Sequence, residues 1–362
     1  MILQHIELSD FRNYTHAKAD FDIGVSAIVG ANGQGKTNLA EALAYLSTMK
    51  SFRGVPTEAM IRIGTHTAFV RAHVRHDDGR EVWIEAKLTT QGRNQVLVNR
   101  TKLPKARDLL GMVRTTVFSP DDLDLVKGGP HFRRDFMDDS LVAFAIKYDA
   151  LRLEVDRVVR QRNAVLKQSG GRVNNAVTSM LDLWDEKLVA MGTQLGDARK
   201  NLVTQLTPFI THAYEDLAQR PSNVIVGYTP EWLEIGLEKA LQQSRNEDLR
   251  RFVTTIGPHR DDIELSINGL PARTHASQGE QRTLALALRL ALHRFISQSV
   301  GEIPILVLDD VLSELDPDRA RALLNHFPVG QVLITTASEL PLDAHITKRV
   351  RIQGGAILES PS

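Results

Sequence analysis

Along the first third of the chain, apolar and polar positions alternate with the period of a half-buried strand. Ile2 to Leu8 reads as an opening strand and Phe11-Arg-Asn-Tyr14 as a turn. Asp20 to Ile23 and Val25 to Val29 read as further strands. Ala68–Val74 and Val82–Leu88 flank Asp77-Asp-Gly-Arg80, a hairpin turn sequence. Gln95–Val98 and Lys102-Leu103 flank Asn99-Arg100 and predict a second hairpin. One helix interrupts this β-rich section. From Asn38 to Met49, residues Leu39, Ala42, Leu43 and Leu46 recur at spacings of three and four.

Past Pro120 the period changes. From Arg133 to about Gln219 the pattern is helical. Leu151, Val155, Val158 and Arg162 mark one face of a first long helix. Ser169-Gly-Gly-Arg-Val-Asn174 breaks it. Leu181, Trp184, Leu188, Met191, Leu195, Ala198, Leu202, Leu206 and Phe209 then form a stripe like that of a coiled coil, about four heptads long. Two helices joined at Gly170-Gly171 predict an antiparallel arm or a small helical lobe, with the stripe as core or as a partner site. Pro208 predicts a kink or stop near the end. Arg152, Arg157, Arg160, Arg162, Lys167 and Arg172 crowd the first helix and its loop, either as a solvated face or as a nucleic-acid patch. Strand signals return at Val224–Tyr228 and Ile263–Ile267, the latter ending in the hairpin turn Asn268-Gly269. A helix from about Gly279 to Ser299, a buried strand Ile305–Asp309, a helix Asp318–Asn325, a strand Val332–Thr335 and a last hairpin around Gly354-Gly355 complete the chain.

Composition narrows the classes. The 362 residues suffice for about two domains. With 44 basic and 44 acidic residues, overall charge carries no argument for a nucleic-acid partner, which would need a local basic patch. Cysteine is absent, which excludes disulfides and thiolate metal sites. The opening residues lack a signal-peptide pattern, and the apolar helix Leu284–Leu292 is short and carries Arg289, so a cytoplasmic chain with no membrane partner is expected.

The chemistry centres on the strand Val25–Val29 and the loop at its end. Gly30-Ala31-Asn32-Gly33-Gln34-Gly35-Lys36-Thr37 has the form G-x-x-x-x-G-K-T between a strand and a helix. Glycines let backbone N–H groups turn toward phosphates, and the helix presents its positive end to the same anion. Lys36 is placed to reach β- and γ-phosphates, and the Thr37 hydroxyl to hold Mg²⁺. Ile305-Leu-Val-Leu-Asp-Asp310 delivers two acids to the carboxyl end of a buried strand. Asp309 is then a candidate Mg²⁺ ligand, and Asp310 a candidate to orient or deprotonate an attacking water. Ser277-Gln278-Gly279-Glu-Gln281 opens a long apolar helix, a further anion-binding end as well as a capping-box sequence.

The order of these segments, with Ser313-Glu-Leu-Asp316 after the acids, resembles that of the ATP-binding-cassette ATPases. That resemblance implies ATP held between two heads, the loop of one facing Ser277–Gly279 of the other, and Ser313–Asp316 crossing the interface of a two-fold homodimer. Within the superfamily the chain resembles the RecF family of bacterial recombination mediators. The likeness is carried by Leu8-Ser-Asp-Phe-Arg-Asn-Tyr14, Phe118-Ser-Pro-Asp-Asp-Leu123, Val126-Lys-Gly-Gly-Pro130, Arg133-Arg-Asp-Phe136, Gly257-Pro-His-Arg-Asp-Asp262, Ser277-Gln-Gly-Glu-Gln-Arg282 and Leu308–Asp316, beside the glycine loop.

The family implies an α/β head of the cassette and SMC type, here residues 1–120 and 255–362, with an inserted, mainly helical lobe at 121–254. It implies ATP and Mg²⁺ as cofactors, a weak DNA-stimulated ATPase in which ATP acts mainly as a switch, and a nucleoid-associated cytoplasmic protein. It implies binding to single- and double-stranded DNA at gaps and junctions, RecR as direct partner, and RecO and RecA downstream. Two features depart from cassette transporters. Thr335-Thr336-Ala337 stands where they carry a histidine, and Phe118–Leu123 takes the approximate place of their glutamine loop. The absent histidine and the long stretch between Thr37 and Ser277 weigh against the alternative of a transporter ATPase subunit; another SMC-like ATPase is the other alternative.

Overall fold

The computed structural model describes residues 1–337 and 345–358. The chain opens with β1 (Ile2–Phe11), β2 (Tyr14–Asp20) and β3 (Gly24–Val29), then α1 (Lys36–Thr48). Next come β4 (Thr67–Arg75), β5 (Glu81–Thr89), β6 (Gln95–Val98), β7 (Thr101–Lys102) and β8 (Thr115–Phe118). The helices α2 (Asp124–Lys127), α3 (Pro130–Phe144), α4 (Lys147–Ser169) and α5 (Asn175–Ala218) come after them. Past β9 (Val224–Gly227) lie α6 (Glu231–Ile235), α7 (Leu237–Arg251), β10 (Glu264–Ile267), β11 (Leu270–Pro271), α8 (Ala272–His275) and α9 (Gln278–Val300). The last elements are β12 (Ile305–Asp309), α10 (Pro317–Asn325), β13 (Gln331–Thr336), β14 (Ile346–Gln353) and β15 (Ala356–Leu358).

These elements divide into two compact units. The first contains residues 1–123, 209–222 and 277–362; the second contains 124–208 and 223–276. In the first unit one sheet has the order β2-β1-β4-β5-β6-β7 and is antiparallel throughout. The Asn99-Arg100 turn that joins β6 to β7 has positive φ at both residues, the two-residue form that matches strand twist. The other sheet has the order β15-β14-β3-β13-β12-β8, parallel except for β15. Helix α1 lies between the two sheets. Leu39, Leu43 and Leu46 share one core with Leu8, Phe11 and Val70 of the antiparallel sheet and with Ile305, Val307 and Leu333 of the parallel one. Gln331, buried, also ties the sheets. It accepts from Leu3 N at 2.8 Å and donates to Leu3 O at 2.9 Å and to Asp22 O at 3.0 Å. Helix α9 is buried along most of its length, packs on β8, and is apolar from Leu284 to Leu292 apart from Arg289.

The second unit is mainly helical, with the small sheet β11-β10-β9. Its Asn268-Gly269 turn has positive φ at both residues, as the sequence predicts. The stripe on α5 is core: Leu181, Leu188, Leu195, Leu202 and Leu206 are buried. It does not pair with α4 alone. Val165 and Leu166 of α4, Leu181 of α5 and Leu249 of α7 form one cluster. The third helix, α7, adds Leu249 to the apolar cover of this end of the stripe.

Two expectations change, at Asp20–Ile23 and at Arg162. The second strand is Tyr14–Asp20, and Asp20–Ile23 is not a strand beyond its first residue. Phe21 makes the last bond to β1, its N–H donating to Gln4 O at 2.9 Å, and the chain then turns toward β3. Of the kink or stop expected at Pro208, the stop does not occur, since α5 runs on to Ala218; the division between the two units falls at this proline. Residues 209–222 therefore lie with the first unit, and 255–276 with the second, where β10 pairs β9. Arg162 is neither a solvated cation nor part of a patch. It is fully buried, donating to Asp185 at 2.5 Å, Asp248 at 2.7 Å and Thr254 at 3.0 Å. Arg245 extends the network to Asp182 and Asp185.

Buried charge and buried imidazole each have a measurable effect. Arg162→Ala leaves Asp248 uncompensated in the interior and should cost about 3–5 kcal/mol in urea unfolding. Arg160→Ala, at an exposed site on the same helix, should stay within about 0.5 kcal/mol. Equal effects would sink the network assignment. Burial also pushes His259 and His293 down to about 4. Each then takes its proton more readily in the unfolded chain than in the fold. Stability should be fully present above about pH 6.5 and fall as pH drops toward 4, with His293→Leu flattening the slope. A flat stability profile across that window would contradict it.

Candidate nucleotide site

Residues 30–37 leave the carboxyl end of β3, in the middle of the parallel sheet. Gly30 N donates to Thr336 O at 3.3 Å, which fastens the loop's start to the neighbouring strand. Gly35 is the N-cap of α1 at φ +119°, and no side chain caps that helix end or places an acid in its first turn. The leading N–H groups of a 13-residue helix thus remain available to an anion. Lys36 is buried, and its ammonium donates to the loop's own carbonyls, Gly30 O at 2.8 Å and Ala31 O at 3.0 Å. The tip Ala31–Gly33 is exposed.

Two glycines are required by close approach. A Cβ on Gly30 would stand 2.4 Å from Ile352 O. One on Gly35 would stand 2.8 Å from Asn13 Oδ1 and 2.9 Å from the Tyr14 hydroxyl. The loop is gripped from its outer side by these same groups. Tyr14 donates to Gly35 O at 2.8 Å, and Asn13 Nδ2 to Gln34 O at 2.9 Å. Gly355 N also donates to Gln34 O, and Gly354 N to Gln34 Oε1. Asn38 Nδ2 donates to Asn13 Oδ1 at 2.8 Å. Burial of Tyr14 raises its pKa well above the ordinary phenol range, so it stays a donor. One helical turn on, Glu41 is fully buried and takes both Nε and Nη2 of Arg12 at 2.7 Å, with Ser51 Oγ as a third donor.

Across the sheet, Asp309 ends β12 and is buried. Its Oδ1 accepts from Thr37 Oγ1 at 3.0 Å and from Thr335 Oγ1 at 2.6 Å. Burial raises its pKa; the two hydroxyl bonds and the charge of Arg53 oppose that, and neighbouring Asp310 adds to it. Asp310 comes next at φ +49° and is partly exposed. Thus Lys36, Thr37, Asp309 and Asp310 meet at one sheet edge. A hydroxyl, a buried carboxylate, an ammonium and uncapped helix amides suit a phosphate chain with a divalent cation. Among the described residues no group of three or more His, Asp or Glu is placed to hold a metal without such help.

Ser277, Gln278 and Gly279 lie in a second cluster of the same unit. Ser277 caps α9 and forms a capping box with Glu280; Ser277 and Gln278 are exposed and Gly279 is partly buried. Gly279 faces the Arg319 guanidinium, which pairs with Asp316 at 2.5 Å. Arg282 pairs with Glu314 at 2.6 Å, and Ser313 Oγ donates to Asp310 O at 2.8 Å. The segment Ser313–Asp316 therefore connects the acid pair to the start of α9. Phe118–Leu123 continues β8 beside β12, and its Asp122 caps Ser119 N and pairs with Arg289 of α9.

Sequence reasoning missed the outer grip. Phe11–Tyr14 was legible as a turn and as part of the family likeness, but nothing local says that Asn13 and Tyr14 reach Gln34 and Gly35. It also missed Arg53, whose one local sign is a polar turn after α1. A cavity of about 730 Å³ in the second unit, lined by Trp232, Ser244 and Arg260 among others, contains none of the expected site residues.

The RecF/RecN/SMC N terminal domain model matches residues 2–352. The DNA replication and repair protein RecF of Streptomyces avermitilis is 38% identical over 353 residues, covering 93% of this chain and 94% of the relative. A solved structure of the recombination mediator protein RecF-ATPrS in the RecFOR pathway aligns with TM-score 0.90 at 31% identity, over 98% of this chain and 97% of the other. The Smc head domain of Pyrococcus furiosus with its extended coiled coil, bound to the C-terminal domain of ScpA, aligns with TM-score 0.58 at 16% identity, over 98% and 94%, a likeness of fold.

The packing around the loop separates two of its glycines. Gly33→Ala, with open space about it but φ +77°, should cost about 1 kcal/mol. Gly35→Ala should cost more, about 1–3 kcal/mol for strain plus displacement of Asn13 and Tyr14. Chemical denaturation that ranks them the other way would show that the outer grip is not rigid.

Proposed function

The chain belongs to the RecF family, and on that premise we propose that it is an ATP-binding DNA replication and repair protein that acts as a nucleotide-controlled dimer. One observation carries the reading. Thr37 at the start of α1 and Asp309 at the end of β12 are joined by a hydrogen bond across 272 residues of sequence, beside Lys36 and an uncapped helix end. That arrangement fits the phosphates of ATP and one Mg²⁺. Gly30–Thr37 would cradle the phosphates through backbone N–H groups, with Lys36 exchanging its loop carbonyls for phosphate oxygens. Thr37 and Asp309 would hold Mg²⁺, which when bound neutralises phosphate charge. Asp310 is the candidate to orient the attacking water. Its carboxylate stands without the histidine of the transporters, in keeping with slow hydrolysis.

Ser277–Gly279 would face the loop of a second protomer. The exposure of Ser277 and Gln278 leaves them open to a second protomer, which supports that reading. Two protomers closed around two nucleotides would favour DNA binding by population shift, and hydrolysis would reopen them. Single- and double-stranded DNA at gaps and junctions, RecR as direct partner, RecO and the loading of RecA complete the reading, in the cytoplasm at the nucleoid. Among the described residues no helix is long and apolar enough to cross a membrane.

The test is oligomeric state by light scattering with a non-hydrolysable ATP analogue and Mg²⁺. The protein should move from monomer to dimer, and Lys36→Ala should remain monomeric with nucleotide affinity reduced about a hundredfold, the loss of a charge-assisted contact to phosphate. A wild-type protein that stays monomeric when saturated would overturn the dimer; unchanged affinity in Lys36→Ala would overturn the loop assignment.

A further inference from the structure

The end of β13 carries Thr335 directly opposite Asp309 of β12. Thr335 is fully buried. Its hydroxyl has one proton and two lone pairs, and it both donates and accepts. It donates to Asp309 Oδ1 at 2.6 Å and accepts from the backbone N–H of Asp310 at 3.0 Å. The directions follow because a backbone N–H can only donate and an ionised carboxylate can only accept.

Each bond answers a local need. Asp310 sits in the left-handed region at φ +49°, which strains a residue with a Cβ unless its surroundings hold it there. Asp309 is the last residue of its strand, so the N–H of Asp310 lies beyond the ladder and takes a side-chain partner instead. Asp309 in turn accepts two hydroxyl protons on one oxygen, from Thr335 and from Thr37 at 3.0 Å. That fixes the carboxylate's rotation. It also commits the Thr37 proton to Asp309, so that the lone pairs of Thr37 remain for a cation.

We propose that Thr335 is a positioning residue for the nucleotide-bound cation: one hydroxyl orients the Asp309 carboxylate through its side chain and Asp310 through its backbone. The inference rests on the nucleotide reading above and adds a role within Thr335-Thr336-Ala337, the segment that stands where transporters carry a histidine. A positioning role acts on Mg²⁺ and leaves the phosphate cradle untouched, because the Thr335 hydroxyl is bonded to Asp309 and Asp310 rather than to Gly30–Lys36. Thr336 is bound to the loop differently, through its carbonyl and Gly30 N.

The experiment measures affinity for a fluorescent ATP analogue in excess Mg²⁺ and in EDTA, for wild type, Thr335→Val, Thr335→Ser and Lys36→Ala. In Thr335→Val the gain in affinity conferred by Mg²⁺ should shrink about tenfold, the worth of a hydrogen bond to a charged group. Affinity in EDTA should hold within about twofold, and Thr335→Ser should restore the Mg²⁺ gain. A merely structural role would instead lower both affinities together with the melting temperature. An intact Mg²⁺ gain in Thr335→Val, or its loss in Thr335→Ser, overturns the proposal. If Thr335→Val fails to fold, Thr335→Ala, which also lacks the hydroxyl, is read in its place with the same expected and overturning results. Wild-type affinity in Lys36→Ala under EDTA would defeat the nucleotide reading itself, a failure separate from this one.

Discussion

The rest of the site depends on one buried carboxylate. Asp309 ends a central strand of the parallel sheet, where an isolated charge is costly, and burial pushes its pKa upward. Two hydroxyls from separate elements, Thr37 and Thr335, offset that cost and draw α1, β12 and β13 to a common point. The parallel register does the remainder. Pairing of β3 with β13 and of β13 with β12 places the carboxyl ends of three strands side by side, so the glycine loop, Thr335 and the acid pair share an edge.

The loop is then held from behind. Glycines permit its close approach to Asn13, Tyr14 and Ile352, and the groups that crowd it also satisfy its carbonyls. The outer contacts come from the first turn of the chain and from the hairpin between β14 and β15. The helix after the loop is anchored separately, by the buried pair of Arg12 and Glu41. A loop fixed on its outer side keeps its inner N–H groups oriented, so little order need be gained when an anion arrives. The second unit uses the same device for another end. Arg162, with Asp185 and Asp248, pins α4, α5 and α7 around a small apolar cluster.

Much of this was readable in advance. Hairpins at Asp77–Arg80, Asn99-Arg100 and Asn268-Gly269 carry their own turn chemistry, and they form as expected. The loop motif and the Ile305–Asp310 run are local patterns, so their strands and helix were legible to within two residues. What misled was local too. Phe21 and Ile23 look like strand residues, yet Tyr14–Asp20 takes the ladder position beside β1. Arg162 looks like its basic neighbours, because sequence shows a charge and hides the two aspartates that surround it.

By itself the sequence determined which segments are strands, which are helices and which glycines must turn, since these come from periodicity and from backbone sterics within a few residues. It also determined the chemical types available for a phosphate site. Tertiary structure decided which of those types meet. Thr37 with Asp309, Asn13 with Gln34 and Thr335 with Asp310 are bonds between residues far apart in the chain. Their partners are chosen by strand order and register, and those emerge only when the whole apolar surface of the sheets is buried at once.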